Sequence, residues 1–198
     1  MAENCISLAD IDHQLSCEGG NMAGIVPEII FGYHEDVAVW PTEPVPTIDG
    51  TTQVVTPVEL EAAGALVGNL TMKPGTRAFK FKFTEDAGNF SIVPVGEVDG
   101  THFEYNLNIV KARISQTILG FMNAASQRKM FFIVPDENGE YYLMGNKRRG
   151  ATFVTGGDGA VTGTTASDRN QASMQFRFRT GKALVYTGLV EELLVLVP

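Results

Sequence analysis

From residue 77 onward, apolar and polar side chains alternate with the two-residue period of strands that bury one face. Phe79, Phe81 and Phe83 fall on one side of residues 77–83, with Ala78, Lys80 and Lys82 on the other. Residues 89–95 read as a further strand, interrupted at Pro94. Beyond the Asp99-Gly100 turn, Phe103, Tyr105, Leu107 and Ile109 alternate with Glu104, Asn106 and Asn108. The pattern returns where Met174, Phe176 and Phe178 oppose Gln175, Arg177 and Arg179. Residues 130–134 form an unbroken apolar run, the mark of a strand covered on both faces. An Asp-Glu-Asn-Gly hairpin turn at 136–139 then leads to a partner strand over 140–145.

One segment has helical rather than strand periodicity. Ile114, Ile118, Leu119, Phe121, Met122 and Ala125 make a single apolar stripe and predict a helix over 115–127. Ser115 is its expected N-cap, and Gly120 inside it costs about 1 kcal/mol relative to Ala. Shorter strands are expected at 25–33, from Leu66 through Leu70 to Met72, at 151–155 and at 182–188, with a strand or short helix over 189–197. Pro27 places the strand at 25–33 on an edge or marks its beginning. Residues 34–40 read as a turn closed by Pro41, and 156–170 as a polar, glycine-rich loop. The elements together predict a mainly β fold: a β-sandwich or partly closed antiparallel barrel with one flanking α-helix. An acidic N-terminal arm (1–22) precedes a β-rich domain (23–198) that carries a long loop at 42–57.

Charge sharpens this picture. No lysine or arginine precedes Lys73, whereas eleven carboxylates do, so the formal net charge of −8 divides into −11 for residues 1–72 and +3 for the remainder. Unlike potentials in one chain favour head-to-tail contact between copies, the negative leader of one seating on a positive sheet face of the next. Only 19% of residues are charged, as expected if part of the surface is covered by neighbouring subunits. A pI near 4.9 argues against a general nucleic-acid binder. No apolar run approaches the roughly 20 residues that span a bilayer, so no membrane partner is expected. Residues 1–20 lack the cationic and apolar regions of a secretory signal. Cys5 and Cys17, with His13 between them, match no zinc spacing and are expected to be free thiols in a reducing cytoplasm, with a disulfide between them the alternative.

Catalytic signatures are missing. There is no Gly-x-Ser-x-Gly elbow, His-Glu-x-x-His helix or phosphate-cradling glycine loop. His13, His34 and His102 are scattered, and the pairs Asp10/Asp12 and Glu35/Asp36 lack the oxygen-rich loop a calcium ion needs. The expectation is a non-enzyme with no cofactor and no metal. Basic and aromatic residues interleave at 79–83 and 175–179, but alternation puts rings and cations on opposite faces, which is wrong for gripping single-stranded nucleic acid. Lys80, Lys82, Arg177 and Arg179 would repel one another in a shared sheet. Glu104 relieves part of this, and acids from residues 1–72, of the same chain or a neighbour, the rest. With the second basic cluster at Lys147, Arg148 and Arg149, these eight residues are the candidate subunit interface. The alternative is a non-catalytic carbohydrate- or host-binding β-sandwich module that presents Tyr33, Trp40, Tyr141 and Tyr142.

The order strand, helix, strand, hairpin, strand, glycine-rich loop, strand, strand over residues 103–188 resembles the tail-tube proteins of long-tailed bacteriophages and prophages. Phe131 to Gly145, followed by Thr162-Gly163 and Asp168-Arg169-Asn170, is similar to structural proteins of that kind in phages of gut bacteria. The resemblance covers rather less than half of the chain. It implies a virion structural protein without catalytic residues, whose subunits join in homo-oligomeric, hexameric rings that stack into a hollow tube. DNA would pass through without specific binding, other tail proteins would be partners, and the arm (1–22) and loop (42–57) would bridge rings. The expected location is the virion tail, after a period in the cytoplasm of the bacterial host. The long acidic leader departs from the short arm usual in that family.

Overall fold

The computed structural model describes residues 22–44, 61–97, 100–154, 159–165 and 168–197. The expected arm with Cys5, Cys17, His13, Asp10 and Asp12, and most of the expected loop at 42–57, lie outside them. The fold is mainly β and sandwich-like, with no closed barrel.

The first sheet has the order β5-β1-β8-β9, formed by β1 (Glu28–Tyr33), β5 (Phe79–Lys82), β8 (Met130–Pro135) and β9 (Tyr141–Met144). The second has the order β10-β12-β7-β6, formed by β6 (Gly88–Val95), β7 (His102–Ala112), β10 (Thr152–Phe153) and β12 (Gln171–Thr180). A short β11 (Ala160–Val161) also pairs with β12, inside the segment expected to be loop. All of these pairs are antiparallel. The two sheets join where Met130 and Ala151 exchange backbone hydrogen bonds of 3.1 and 2.7 Å.

Alternation places Ile29, Phe81, Phe83, Tyr105, Leu107, Ile109, Phe132, Val134, Met174, Phe176 and Phe178 in the core between the sheets. Helix α1 (Gln116–Gln127) adds Ile118 and Ala125, and its Phe121 ring meets Phe31, Phe81 and Phe176 at 5.0 to 6.2 Å. Ser115 caps this helix, its hydroxyl accepting from the Ile118 N–H at 3.3 Å. Pro27 marks the beginning of β1, which lies inside its sheet, between β5 and β8.

A second apolar cluster covers the opposite face of the first sheet, where Ile30, Phe131, Ile133 and Leu143 pack against Val37, Leu70, Met72, Tyr186 and Leu193. This explains the unbroken apolar run of β8, which is buried on both faces. The covering layer is built from β2 (Val37–Val39) paired with β4 (Thr71–Met72), and β3 (Ala65–Leu66) paired in parallel with β13 (Val185–Tyr186). A single strand was expected from Leu66 to Met72. Gly68, at φ +93°, breaks it into β3 and β4, which serve different pairs. β2 replaces part of the turn expected at 34–40, and a 3-10 turn (Glu191–Leu194) occupies the final apolar segment.

Candidate subunit-interface surfaces

Five of the eight residues expected at an interface are already paired within the chain. Glu28, at the start of β1, lies opposite Lys82 in the β1–β5 register. One of its carboxylate oxygens meets Lys80 Nζ at 2.5 Å and the other Lys82 Nζ at 2.9 Å. Hydrogen bonding to Lys80, then Lys82, holds the Glu28 carboxyl below the usual carboxylate range. On the second sheet, Glu104 lies opposite Arg179, whose Nε is 2.8 Å from Glu104 Oε2, and Arg177 Nε approaches the same oxygen at 3.9 Å. The Arg179 hydrogen bond is the main reason the Glu104 carboxyl is also held low. The lysine pair and the arginine pair therefore sit on different sheets, and the mutual repulsion expected for a shared sheet does not arise. Each pair has its own acid.

The front-to-back charge split is also partly satisfied internally. Lys182 Nζ pairs with Glu43 at 3.6 Å, and Arg128 pairs with Glu35 while its guanidinium lies 3.5 Å over the Tyr33 ring. Lys73 Nζ donates to the Glu35 carbonyl at 2.5 Å. Thus Glu28, Glu35 and Glu43, all from the acidic front of the chain, meet cations of its basic back. All fifteen bases lie among the described residues, with fifteen of the 23 acids. The surplus of eight negative charges belongs to the remaining carboxylates.

Lys147, Arg148 and Arg149 are arranged differently. They are exposed, and no carboxylate among the described residues is within ion-pair distance of them. Their turn is nonetheless well ordered by hydrogen bonds. Asn146 Oδ1 accepts from the Arg148 N–H at 2.9 Å and the Arg149 N–H at 2.8 Å, and Gly145 bridges to Gly150. The His34 ring, tilted against Trp40 with centroids 4.8 Å apart, ties Nε2 to the Asn146 carbonyl at 2.8 Å. Gly150 packs so closely on His34 that an added Cβ would come within 3.0 Å of that ring. Asn146, two and three residues before the arginines it caps, is a readable sign of a side-chain-capped turn. The histidine that anchors it, more than a hundred residues away, was not readable.

Two further surfaces emerge. β6 ends its sheet, and among the described residues no strand pairs with its other edge. It contains no charge, and its outward Val93 and Val95 are 42% and 37% exposed. Phe79, expected in the core with Phe81 and Phe83, is instead 43% exposed at the start of edge strand β5, with Arg77 lying 4.9 Å over its ring.

The aromatic residues of the binding-module alternative do not converge. Tyr142 stacks on Phe90 at 5.0 Å in the inner core, and Tyr141 packs on the outer cluster. Trp40 lies between His34 and Phe131, and Tyr33 under Arg128. Among the described residues no group of three or more His, Cys, Asp or Glu could hold a metal ion, and no helix is long and apolar enough to cross a membrane. A shallow depression bordered by Glu43, Asn146, Phe178 and Lys182 holds the Lys182–Glu43 pair. No family model, curated protein or solved structure matches this chain.

Proposed function

We propose that this chain is a self-assembling structural subunit of a phage or prophage tail tube, forming rings that stack into a DNA-conducting tube. The likeness of residues 103–188 to tail-tube proteins supplies the class, and the free edge of β6 is the observation that carries self-assembly. An eight-residue edge strand without charge, and with no covering strand among the described residues, is a template for pairing with another chain, which soluble proteins usually blunt with lysines or a covering loop. β5, an edge strand of the other sheet, has that protection in Lys80 and Lys82; β6 has only Pro94. Pairing of this edge with a different surface of a second copy is heterologous, and repetition of such a contact closes a ring or propagates a filament.

Sedimentation velocity over a wide concentration range, with electron microscopy of the concentrated sample, tests the reading. Rings or tubes are expected for the native chain. The Val93→Lys/Val95→Lys variant should remain folded and sediment as smaller species. A native chain that stays a lone particle at every concentration would overturn the proposal.

A further inference from the structure

The chain has chemically unlike ends, and β8 measures the separation between them. At the C-terminal end of β8, the turn 136–140 carries Asp136, Glu137 and Glu140. The first described residues attach here: the Met22 N–H donates to Asn138 Oδ1 at 2.9 Å, Asn138 Nδ2 donates to the Met22 carbonyl at 3.0 Å, and Ile25 bridges to Asp136. Residues 1–21, with Glu3, Asp10, Asp12 and Glu18 and no lysine or arginine, therefore join the body beside its acidic turn. At the N-terminal end of β8 lie Arg128 and Lys129, and the Lys147–Arg149 turn is fastened alongside through the Met130–Ala151 and His34–Asn146 hydrogen bonds. Six strand residues, about 20 Å, separate the two ends.

We infer that residues 1–21 of one copy dock on the basic turn Lys147-Arg148-Arg149, with Lys129, of the next copy, setting a head-to-tail axis of assembly. This rests on the self-assembly reading above and names the contact that gives it direction. Three observations select this occupant. Each pair of sheet-face cations shares one carboxylate, Glu28 or Glu104, whereas among the described residues no carboxylate lies within ion-pair distance of Lys129 or of the three cations of this turn. Glu43, which borders the same depression as Asn146, is engaged by Lys182, and Glu35, next to the His34 that anchors the turn, is engaged by Arg128. The leader meets like charge where it leaves its own body, which disfavours settling there. Twenty-one residues extend to about 70 Å at most, enough to cross onto a neighbouring subunit. Among the described residues Lys111, Arg113 and Arg169, at the ends of the second sheet, and Lys73 and Arg77 also have no carboxylate within ion-pair distance and are the competing acceptors within the same chain.

Charge reversal in full-length chains separates the possibilities. One variant carries Asp10→Lys, Asp12→Lys and Glu18→Lys; the other carries Lys147→Glu, Arg148→Glu and Arg149→Glu. Each alone should raise the concentration needed for assembly at least tenfold, and an equimolar mixture should return it close to the native value. That recovery also shows that both variants fold. If the glutamate turn proves misfolded by circular dichroism, Lys147→Ser/Arg148→Ser/Arg149→Ser takes its place, with loss of assembly expected. Native-like assembly of the turn variant overturns this inference alone. So does a mixture that stays dispersed while the chain carrying both reversals recovers, since the leader would then serve its own body. A native chain that never assembles overturns the self-assembly reading as well.

Discussion

Lys80 and Glu28 meet at 2.5 Å across neighbouring strands, and the same carboxylate holds Lys82 at 2.9 Å. Glu104 does the same for Arg179 and Arg177. Both carboxyls titrate below the ordinary value of 4.5 in the folded chain. A group whose folded pKa is depressed contributes its stability in full above the unfolded pKa and loses it as pH falls through the folded one. Stability should therefore be level above about pH 5 and decline below the ordinary carboxylate range. Urea unfolding at pH 7 and pH 3.5 checks this. Glu28→Gln/Glu104→Gln should cost about 1 kcal/mol per site at pH 7, discounted for partial exposure, and should reduce the loss between the two pH values.

Because these cations are matched within the chain, removing them should act on the fold rather than on assembly. Lys80→Ser/Lys82→Ser/Arg177→Ser/Arg179→Ser is expected to lower unfolding stability while rings or tubes form at close to the native concentration. The same measurement on Lys147→Ser/Arg148→Ser/Arg149→Ser should show the reverse: stability within about 0.5 kcal/mol of native and assembly lost.

Local periodicity revealed which side of each strand is buried, but not which strand it faces. Phe81, Phe83, Leu107, Ile109 and Phe176 all fall where alternation puts them, as do Ile118, Phe121, Met122 and Ala125 of the α1 stripe and the Ser115 cap, whereas Leu119, at the margin of that stripe, is exposed. The doubly buried β8 was legible because a strand with no polar position has no face to give to solvent. Partners at long sequence distance were not legible. Nothing local in Glu28 marks it as the mate of two lysines fifty residues on, and nothing in Ala65-Leu66 marks a parallel partner at Val185-Tyr186. Phe79 misled because it has the parity of Phe81 but sits where the strand begins, at the margin of the core. The interface suffered from the same gap: cationic positions were visible, and which of them had internal partners depended on register.

Two buried tyrosines fasten the segment after β12 to the body. Tyr105 OH accepts from the Leu184 N–H at 2.9 Å and donates to the Leu184 carbonyl at 3.3 Å, while Tyr186 OH accepts from the Leu70 N–H at 3.1 Å and donates to the Leu189 carbonyl at 3.2 Å. Burial raises the pKa of both phenols, so neither ionises in the neutral range. Tyr105→Phe strands a buried N–H and carbonyl at Leu184 and should cost about 1–3 kcal/mol. Limited proteolysis of that variant should cut residues 181–197 before the sheets, and an unchanged digestion pattern would show the hydroxyl is not what fastens this segment.

Two glycines should respond oppositely to alanine. Gly120 lies mid-helix in α1, and a methyl group there would meet nothing within 4 Å. Gly120→Ala should therefore raise stability by about 1 kcal/mol through helix propensity alone. Gly32 lies opposite Phe131 in the β1–β8 register, and an added Cβ would stand 2.7 Å from the ring edge. That ring is fully buried within the outer cluster and has little room to withdraw. Gly32→Ala is expected to cost about 1–3 kcal/mol by overpacking. Thermal unfolding of the two variants beside the native chain decides the matter. A gain at Gly32 would mean the outer layer yields easily, whereas a loss at Gly120 would mean the exposed side of α1 is covered by something that an added methyl group disturbs.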